Sequence, residues 1–373
     1  MQLIKILSLV VMGILLLMEL TKRQLSIPIE QTNRKYHYSY VLIILFWASL
    51  VYVSGFRKGF VDTVTYRQLY DSIETNYSFA LTDEMELETG FKLFMIFLKR
   101  IWPDSQFFVF ITSLIILSIE IWQISKYSSD TVFSLAIYFL LSFMGTMNGI
   151  RQCMAAAILF LAFDWVIERK TLPYILFVLL VSTLHTSALV CIPLYFIISG
   201  KRNNIGILLF GIMIVAMFLF PNAFDSVLSW ILEDSTYEEY VDNQERMGIV
   251  RLAVAAVPVA VSLLYCRIQH KNNRTTSRLT DVLVNMQFVS FGFTAMGLHM
   301  LYYARLSMYV GYATILLLPT TLKGCFTSRS FKVVKVITLL LYTAFFVYQI
   351  YAYNKYGLSL IHISEPTRQA EIS

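Results

Sequence analysis

The sequence has little charge for its length: Asp, Glu, Lys and Arg make up 14% of its 373 residues, whereas hydrophobic residues make up 57%. Its mean hydropathy is +0.64. One soluble core cannot bury that much apolar surface, so the shortage of charge excludes an ordinary soluble domain. The apolar residues form recurrent runs near the ~20 residues that cross ~30 Å of hydrocarbon. The composition therefore predicts an all-α, polytopic integral membrane protein with one domain over residues 1–357.

Cysteine is also scarce, and its spacing excludes two kinds of site. The four cysteines, Cys153, Cys191, Cys266 and Cys325, include no pair spaced as CxxC. This spacing indicates neither a cysteine metal cage nor a disulfide framework, so we interpret all four as packing residues. The sequence also lacks a metal-binding motif, a Gly-rich phosphate loop and an internal repeat, and we therefore predict no metal and no cofactor.

The apolar runs predict about twelve transmembrane helices. They cover residues 3–20, 38–53, 107–124, 132–147, 149–167, 172–184, 187–198, 205–220, 247–266, 279–300, 306–318 and 333–351. The short runs at 172–184 and 187–198 could instead form a broken pair of half-helices.

The net charge of +6 comes from Lys and Arg clusters between runs. In this order of spans the five basic loops, at residues 22–35, 169–170, 201–202, 267–278 and 323–335, all fall on one side. The positive-inside rule makes that side cytoplasmic, so no nucleic-acid partner is needed.

Two larger loops lie on the opposite, external side, at residues 54–106 and 221–246. The second carries the acidic string "EDSTYEEYVDNQE". The first becomes amphipathic after Asp83, with Lys92, Lys99 and Arg100 on its polar side, which predicts a helix lying in the outer membrane interface.

The last stretch, "LSLIHISEPTRQAEIS" at residues 358–373, departs from the pattern of apolar run and basic loop. It reads letter for letter like a translated sequencing adaptor. We therefore expect residues 358–373 to be an artefactual tail that takes no part in the fold.

Two ionisable residues stand at the external ends of predicted spans. Arg151 follows the polar hinge "TMNG" and begins an apolar helix, and a guanidinium beside a helix N-terminus can bind phosphate. His185 lies in a short turn between two spans and could act as acid, base or hydrogen-bond donor. The alternatives are that Arg151 snorkels to lipid headgroups and that His185 only satisfies loose backbone.

The first external loop supplies three carboxylates that could act as a general base, Asp62, Glu86 and Glu88, although a carboxylate in such a loop is more often a solvated surface charge. Late in the chain, "GLHMLYYARLSMY" places His299 and Arg305 at another external junction. Arg305 would provide a second cation on the side of Arg151, and two arginines suit a diphosphate better than one. The nearby Tyr302, Tyr303 and Tyr309 could instead belong to an aromatic belt.

Several of these stretches together resemble the EpsG family of Wzy-like exopolysaccharide and O-antigen polymerases. They are "DTVTY", "ETGFKLF", "QFFVFITSLI", "IRQCMAAAILFLA" and "LVSTLHTSALVCIPLYF", within residues 62–196, and "ARLSMYVGYATILLLP" at 304–319. Each is weak by itself, but their order, spacing and common side agree. Asp62 and Tyr66 keep the family's DxxxY-like spacing.

The resemblance implies a GT-C/Wzy-like fold and an enzyme that joins oligosaccharide repeat units carried on undecaprenyl diphosphate. The reaction would take place at the outer face of a bacterial plasma membrane and build capsule, exopolysaccharide or O-antigen. Arg151 and Arg305 would bind the diphosphate leaving group, and Asp62, Glu88 or His185 would deprotonate the acceptor hydroxyl. Tyr66, Gln152, His299 and Tyr309 are expected to contact substrate. A flippase and a chain-length regulator are the expected protein partners.

Two other classes remain open at this point. A lipid-linked oligosaccharide flippase or another secondary transporter would also need a cationic cavity, but such proteins usually have midplane charges or paired repeats, which the sequence lacks. A membrane O-acyltransferase using His185 would need a buried polar partner for that histidine and a cytosolic opening for its acyl donor.

Overall fold

The computed structural model describes residues 2–29, 34–37, 39–60, 62–82, 85–202, 204–222 and 247–356. Within these ranges most residues are helical. The predicted tail and most of the second external loop lie outside the described residues.

The helices follow one another along the chain with short connections. They are α1 (Gln2–Thr21), α2 (Tyr40–Gly55), α3 (Thr63–Ser72), α4 (Thr89–Ile101), α5 (Ser105–Tyr127), α6 (Thr131–Leu141), α7 (Ile150–Leu161), α8 (Phe163–Ile167), α9 (Thr171–Ser182), α10 (Cys191–Ile198), α11 (Ile205–Leu219), α12 (Ile249–Lys271), α13 (Arg278–Met296), α14 (Leu301–Leu306), α15 (Tyr312–Cys325) and α16 (Ser328–Tyr356). Short 3-10 helices cover Tyr77–Leu81, Gly145–Met147, Thr186–Val190 and Ser307–Tyr309.

Polar caps mark where several apolar helices begin. The side chains of Asp104, Asp130, Asn204 and Ser277 accept hydrogen bonds from backbone amides in the first turns of α5, α6, α11 and α13. Such caps satisfy amides that have no carbonyl partner at a helix start. The short polar segments between the apolar runs therefore set the positions of the helices.

The described residues also contain one small sheet, which the expectation of an all-α protein did not include. Strand β1 (Arg23–Ile29) pairs antiparallel with β2 (Arg34–His37), with Arg23 opposite His37 and Gln24 opposite Tyr36. A register irregularity lies between Gln24 and Ile29. The architecture is thus helical with one added hairpin between α1 and α2.

A helix occupies each predicted span, but the count of about twelve crossings is not confirmed. Among the described residues, three helices are long and apolar enough to cross a membrane: Ser105–Tyr127, Ile249–Lys271 and Ser328–Ala352. A fourth crossing would be Leu301–Tyr309 with Tyr312–Cys325, which are bent by 64°. Several other apolar helices have only 10–17 residues. The apolar composition and these helices make the chain a membrane protein.

The chain divides into two compact units. Unit 1 comprises Met1–Trp165 and Lys170–Leu189, and unit 2 comprises Val166–Arg169 and Val190–Ser373. In unit 1, α5 packs against α2, α3, α4, α6 and α7 and so forms the centre. In unit 2, α13 packs against α10, α11, α12, α14 and α15.

The predicted amphipathic segment forms α4, a helix of 13 residues, and its cations have a structural role. Lys92 is buried and donates to the carbonyl of Thr82 at 2.5 Å. Lys99 donates to the carbonyl of Ile73 at 2.9 Å, and Arg100 stacks on Tyr77 at 3.9 Å from the ring centroid. These contacts fasten α4 to the loop that precedes it.

Candidate active site

Asp62 and Tyr66 both reach the start of α7 from the beginning of α3. Asp62 directly precedes α3, and Tyr66 lies four residues later. Asp62 Oδ2 accepts a hydrogen bond from the backbone amide of Gly149 at 2.7 Å. The hydroxyl of Tyr66 accepts one from Nε of Arg151 at 3.1 Å. Since positions i and i+4 lie on one face of a helix, the DxxxY spacing places a carboxylate and a phenol against the same helix start.

Gly149, which directly precedes α7, has a left-handed backbone conformation that sets how the chain enters this helix. Its φ is 67°, in the left-handed region that glycine adopts with little strain. A Cβ there would meet nothing within 4 Å, so the backbone angle rather than space favours glycine. The turn follows the 3-10 helix Gly145–Met147 in the predicted polar hinge and points the Gly149 amide at Asp62.

Glu88 joins Arg151 to His185, although the three residues come from distant parts of unit 1. Glu88 Oε2 accepts from Nη1 of Arg151 at 2.6 Å. Glu88 Oε1 lies 2.8 Å from Nδ1 of His185 and accepts from the amide of Thr186 at 3.0 Å. The side chains of Arg151, Glu88 and His185 are 22%, 13% and 9% exposed. The result is a largely buried cation, carboxylate and imidazole in one chain of contacts.

The surroundings of Glu88 keep its carboxyl group ionised. Burial raises its pKa, but the hydrogen bond with His185, the charges of Arg151 and His185 and the amide of Thr186 outweigh burial and lower the pKa to about 2. A carboxylate with such a pKa is a poor proton acceptor at neutral pH. Glu88 is better suited to orient His185 and to stabilise its protonated form than to act as the base itself.

Tyr66 is buried beside this chain of contacts. Burial raises its pKa to about 12, and the neighbouring charge of Arg151 opposes that effect. Its ring meets Phe91 edge-on, with the ring centroids 6.0 Å apart. The phenol therefore stays neutral and holds the guanidinium by its oxygen.

A close approach of two segments sets the distance between Glu88 and His185. A Cβ at Gly90 would lie 2.3 Å from Oγ1 of Thr183 and 2.7 Å from its carbonyl oxygen. The amide of Phe91 donates to that carbonyl at 3.2 Å. The start of α4 thus touches the end of α9, two residues before His185, and any side chain at position 90 would separate them.

Arg57 is a buried cation near this site that the sequence analysis did not single out. It lies just after α2, is 9% exposed, and donates to Oγ1 of Thr63 at 2.9 Å and to Oγ of Ser113 at 2.8 Å. Burial lowers its pKa to about 10, and the charge of Asp62 opposes that shift. An arginine in a predicted external loop, against the positive-inside rule, was the signal that could have identified it.

Not every predicted residue belongs to this cluster. Glu86 is exposed, although it lies only two residues before Glu88. Gln152 follows Arg151 on α7 and is buried.

The remaining predicted residues belong to unit 2. Arg305 lies in the last turn of α14, and Tyr309 is buried at the end of the 3-10 helix that follows. His299 lies in the turn before α14, where its amide donates to the carbonyl of Met296 at 2.9 Å. The rings of Tyr302 and Tyr303 meet with centroids 6.1 Å apart. The meeting of Arg305 with Arg151 stays a prediction.

The start of α7 was expected to receive a phosphate, and in the structure protein carboxylates occupy it. Asp62 accepts from the Gly149 amide, and Glu88 pairs with Arg151. Nη2 of Arg151 makes no hydrogen bond with any described residue. One arm of the guanidinium therefore remains for a ligand. Chemically, the cluster can bind an anion beside an imidazole that a carboxylate orients.

The helices and this buried polar cluster define the class as a helical membrane protein with an arginine–glutamate–histidine site. The chain belongs to the EpsG family, whose model matches residues 40–361. This membership indicates a role of the exopolysaccharide polymerase type. No curated protein and no solved structure matches the chain.

Proposed function

We propose that the protein polymerises oligosaccharide repeat units carried on undecaprenyl diphosphate, at the outer face of a bacterial plasma membrane. The product would be capsule, exopolysaccharide or O-antigen. The observation that carries the proposal is the Glu88 carboxylate, which contacts both Arg151 and His185. Glu88 thus holds a cation that can bind the leaving diphosphate, Arg151, close to an imidazole that can accept a proton from the attacking hydroxyl, His185.

Arg151 would bind the diphosphate of the donor. The sugar–phosphate bond breaks with a gain of negative charge on the leaving oxygen, so a fixed cation stabilises the transition state more than the ground state. Arg305 would share this role as the second cation. The two arginines would do what a divalent ion does in many soluble sugar transferases.

His185 would remove the proton from the acceptor hydroxyl. If Nδ1 carries the hydrogen bond to Glu88, the lone pair of the neutral imidazole is on Nε2, and that nitrogen is the base. Glu88 would hold this tautomer and stabilise the imidazolium that forms. Asp62 would hold the start of α7, and Tyr66, Gln152, His299 and Tyr309 would line the bound glycan.

The test supplies the full-length protein in proteoliposomes with a defined lipid-linked repeat unit and follows a ladder of longer glycans. Arg151→Ala, Arg305→Ala and His185→Gln are each expected to lower the rate by roughly a hundredfold or more. Arg151→Lys should restore little, since an ammonium cannot bind phosphate in the bidentate manner of a guanidinium. The matched control is Arg67→Ala, which also removes an arginine from the first external loop. Arg67 hydrogen-bonds Ser105 and Gln106 rather than a residue of the proposed site, so this variant should elongate at the normal rate.

The same assay separates the alternatives. Translocation of the lipid-linked unit without elongation would support a flippase. The histidine does have the buried carboxylate partner that an O-acyltransferase needs, so an acyl-donor arm is included. Transfer of an acyl group with no ladder would refute polymerisation.

A further inference from the structure

Unit 2 contains an open cleft of about 640 Å³ with an excess of positive charge. Its lining comes from the connections after α8 and α10 and from the start of α13. The charged residues are four cations and two carboxylates: Arg169, Lys201, Arg202, Arg278, Glu168 and Asp281.

Backbone carbonyls hold two of these cations in place. Arg278 donates through Nε to the carbonyl of Ile167 at 3.1 Å and through Nη1 to that of Gly200 at 3.0 Å. Arg169 donates through Nε to the carbonyl of Ser199 at 3.1 Å. Carbonyl groups carry no net charge, so these bonds orient the guanidinium groups without neutralising them.

The positive charge of the cleft is incompletely compensated. Arg169 and Arg278 lie close enough for their charges to repel, and Asp281 offsets part of that repulsion. Across the described part of the chain, no salt bridge includes any of the four cations. Nη1 of Arg202 is buried and has no hydrogen-bond partner among described residues. The Arg202 side chain also forms a hydrogen bond with Cys266. An anionic oxygen in the cleft would relieve the repulsion between Arg169 and Arg278.

An apolar helix face begins beside the cleft. Asn204 caps α11 directly after the Lys201–Arg202 loop, and Ile205, Leu208 and Leu209 on its first turns are 74%, 63% and 56% exposed. A soluble phosphate compound would use only the cations. A phospholipid would place its headgroup among the cations and its chains along α11.

We propose that this cleft binds the phosphate headgroup of an anionic phospholipid, whose acyl chains lie on the exposed face of α11. Its basic loops are those that the positive-inside rule assigns to the cytoplasm, so the lipid comes from the cytoplasmic leaflet.

The test uses the full-length protein in phosphatidylcholine vesicles with spin-labelled phosphatidylglycerol as the probe. Electron paramagnetic resonance measures the fraction of the probe that the protein immobilises. Arg202→Gln and Arg169→Gln are each expected to lower the preference for phosphatidylglycerol over phosphatidylcholine by about fivefold. Arg202→Lys should retain most of the preference, and thermal unfolding checks that each variant is folded.

The matched control is Arg274→Gln, which removes the same charge from an exposed arginine between α12 and α13 that does not line the cleft. It should leave the preference unchanged. An equal loss in all three Gln variants would overturn the proposal in favour of general surface charge. Displacement of the labelled lipid by inorganic phosphate at constant ionic strength would overturn it in favour of a soluble phosphate ligand.

Discussion

At the scale of single residues, the site depends on the different partners of the two carboxylate oxygens of Glu88. One oxygen binds Arg151, and the other receives His185 and the Thr186 amide. The carboxylate therefore positions two functional groups at once. Its neighbour Glu86 is exposed, which provides a comparison within the same loop.

Glu88→Gln keeps the size of the side chain and removes its charge. Because the amide cannot stabilise a protonated His185, we expect glycan elongation to fall at least about a hundredfold. Glu86→Gln, two residues away, should elongate at the normal rate. The ladder assay measures both, and normal elongation by Glu88→Gln would refute the assigned role.

The pKa of Glu88 also predicts how stability depends on pH. The folded-state value of about 2 lies below the ordinary 4.5, so the charged form stabilises the fold above pH 4.5, and this contribution is lost as the pH falls toward 2. Unfolding midpoints of detergent-solubilised protein should fall with pH in this window. Glu88→Gln should show a shallower fall, and identical slopes for the two proteins would contradict the assignment.

The hydrogen bonds of buried Arg57 predict that its replacement lowers the stability of the fold. Arg57→Gln would leave the hydroxyls of Thr63 and Ser113 without their charged donor, so we expect a loss of about 3 kcal/mol in the free energy of unfolding. The adjacent exposed Lys58 provides the control, with a change within about 0.5 kcal/mol for Lys58→Gln. Denaturant titration compares the two.

At the scale of elements, the positions of the helices were predictable and their lengths were not. The apolar runs predicted a helix at each span, because hydropathy follows burial in lipid or protein. The run at 149–167 contains the break at Ala162 between α7 and α8, and the run at 132–147 ends in a 3-10 helix. Hydropathy does not register the break at Ala162, since Ala162 and Phe163 are themselves apolar.

The site was predictable in part, for a related reason. Motif spacing and the position on the external side of the predicted spans identified Asp62, Glu88, Arg151 and His185 as site residues. Their pairing was not predictable, because it joins residues 63 and 97 positions apart through side-chain geometry. Arg57 was missed because the same external loop carries several other cations, so its charge alone did not distinguish it.

The left-handed turn before α7 gives a prediction at this scale. Gly149→Ala should lower the free energy of unfolding by about 1–2 kcal/mol, since a Cβ is unfavourable at a φ of 67°. Gly145→Ala is the matched control, because neither position has an atom within 4 Å of the added Cβ and Gly145 has no positive φ. Chemical unfolding of both variants measures the difference, and equal stability would show that the angle is not strained.

At the scale of the whole molecule, the basic loops and the site are predicted to face opposite sides of the membrane. In a variant whose four cysteines are replaced by alanine, Glu86→Cys should react with a membrane-impermeant maleimide added to intact cells. Arg274→Cys should react only after the cells are permeabilised. The reverse pattern would invert the orientation and contradict an external reaction.

The Arg151–Glu88 pair has a consequence for which ligands can enter. The guanidinium is already held by a carboxylate of the same chain, whose effective concentration far exceeds that of any dissolved ion. Since its charge is already largely compensated, the guanidinium gives a small inorganic anion little binding energy through its remaining arm, whereas a long prenyl tail and several sugars add contacts elsewhere. The resting site should thus bind dissolved salts weakly and bind tightly only a large ligand that makes many contacts at once.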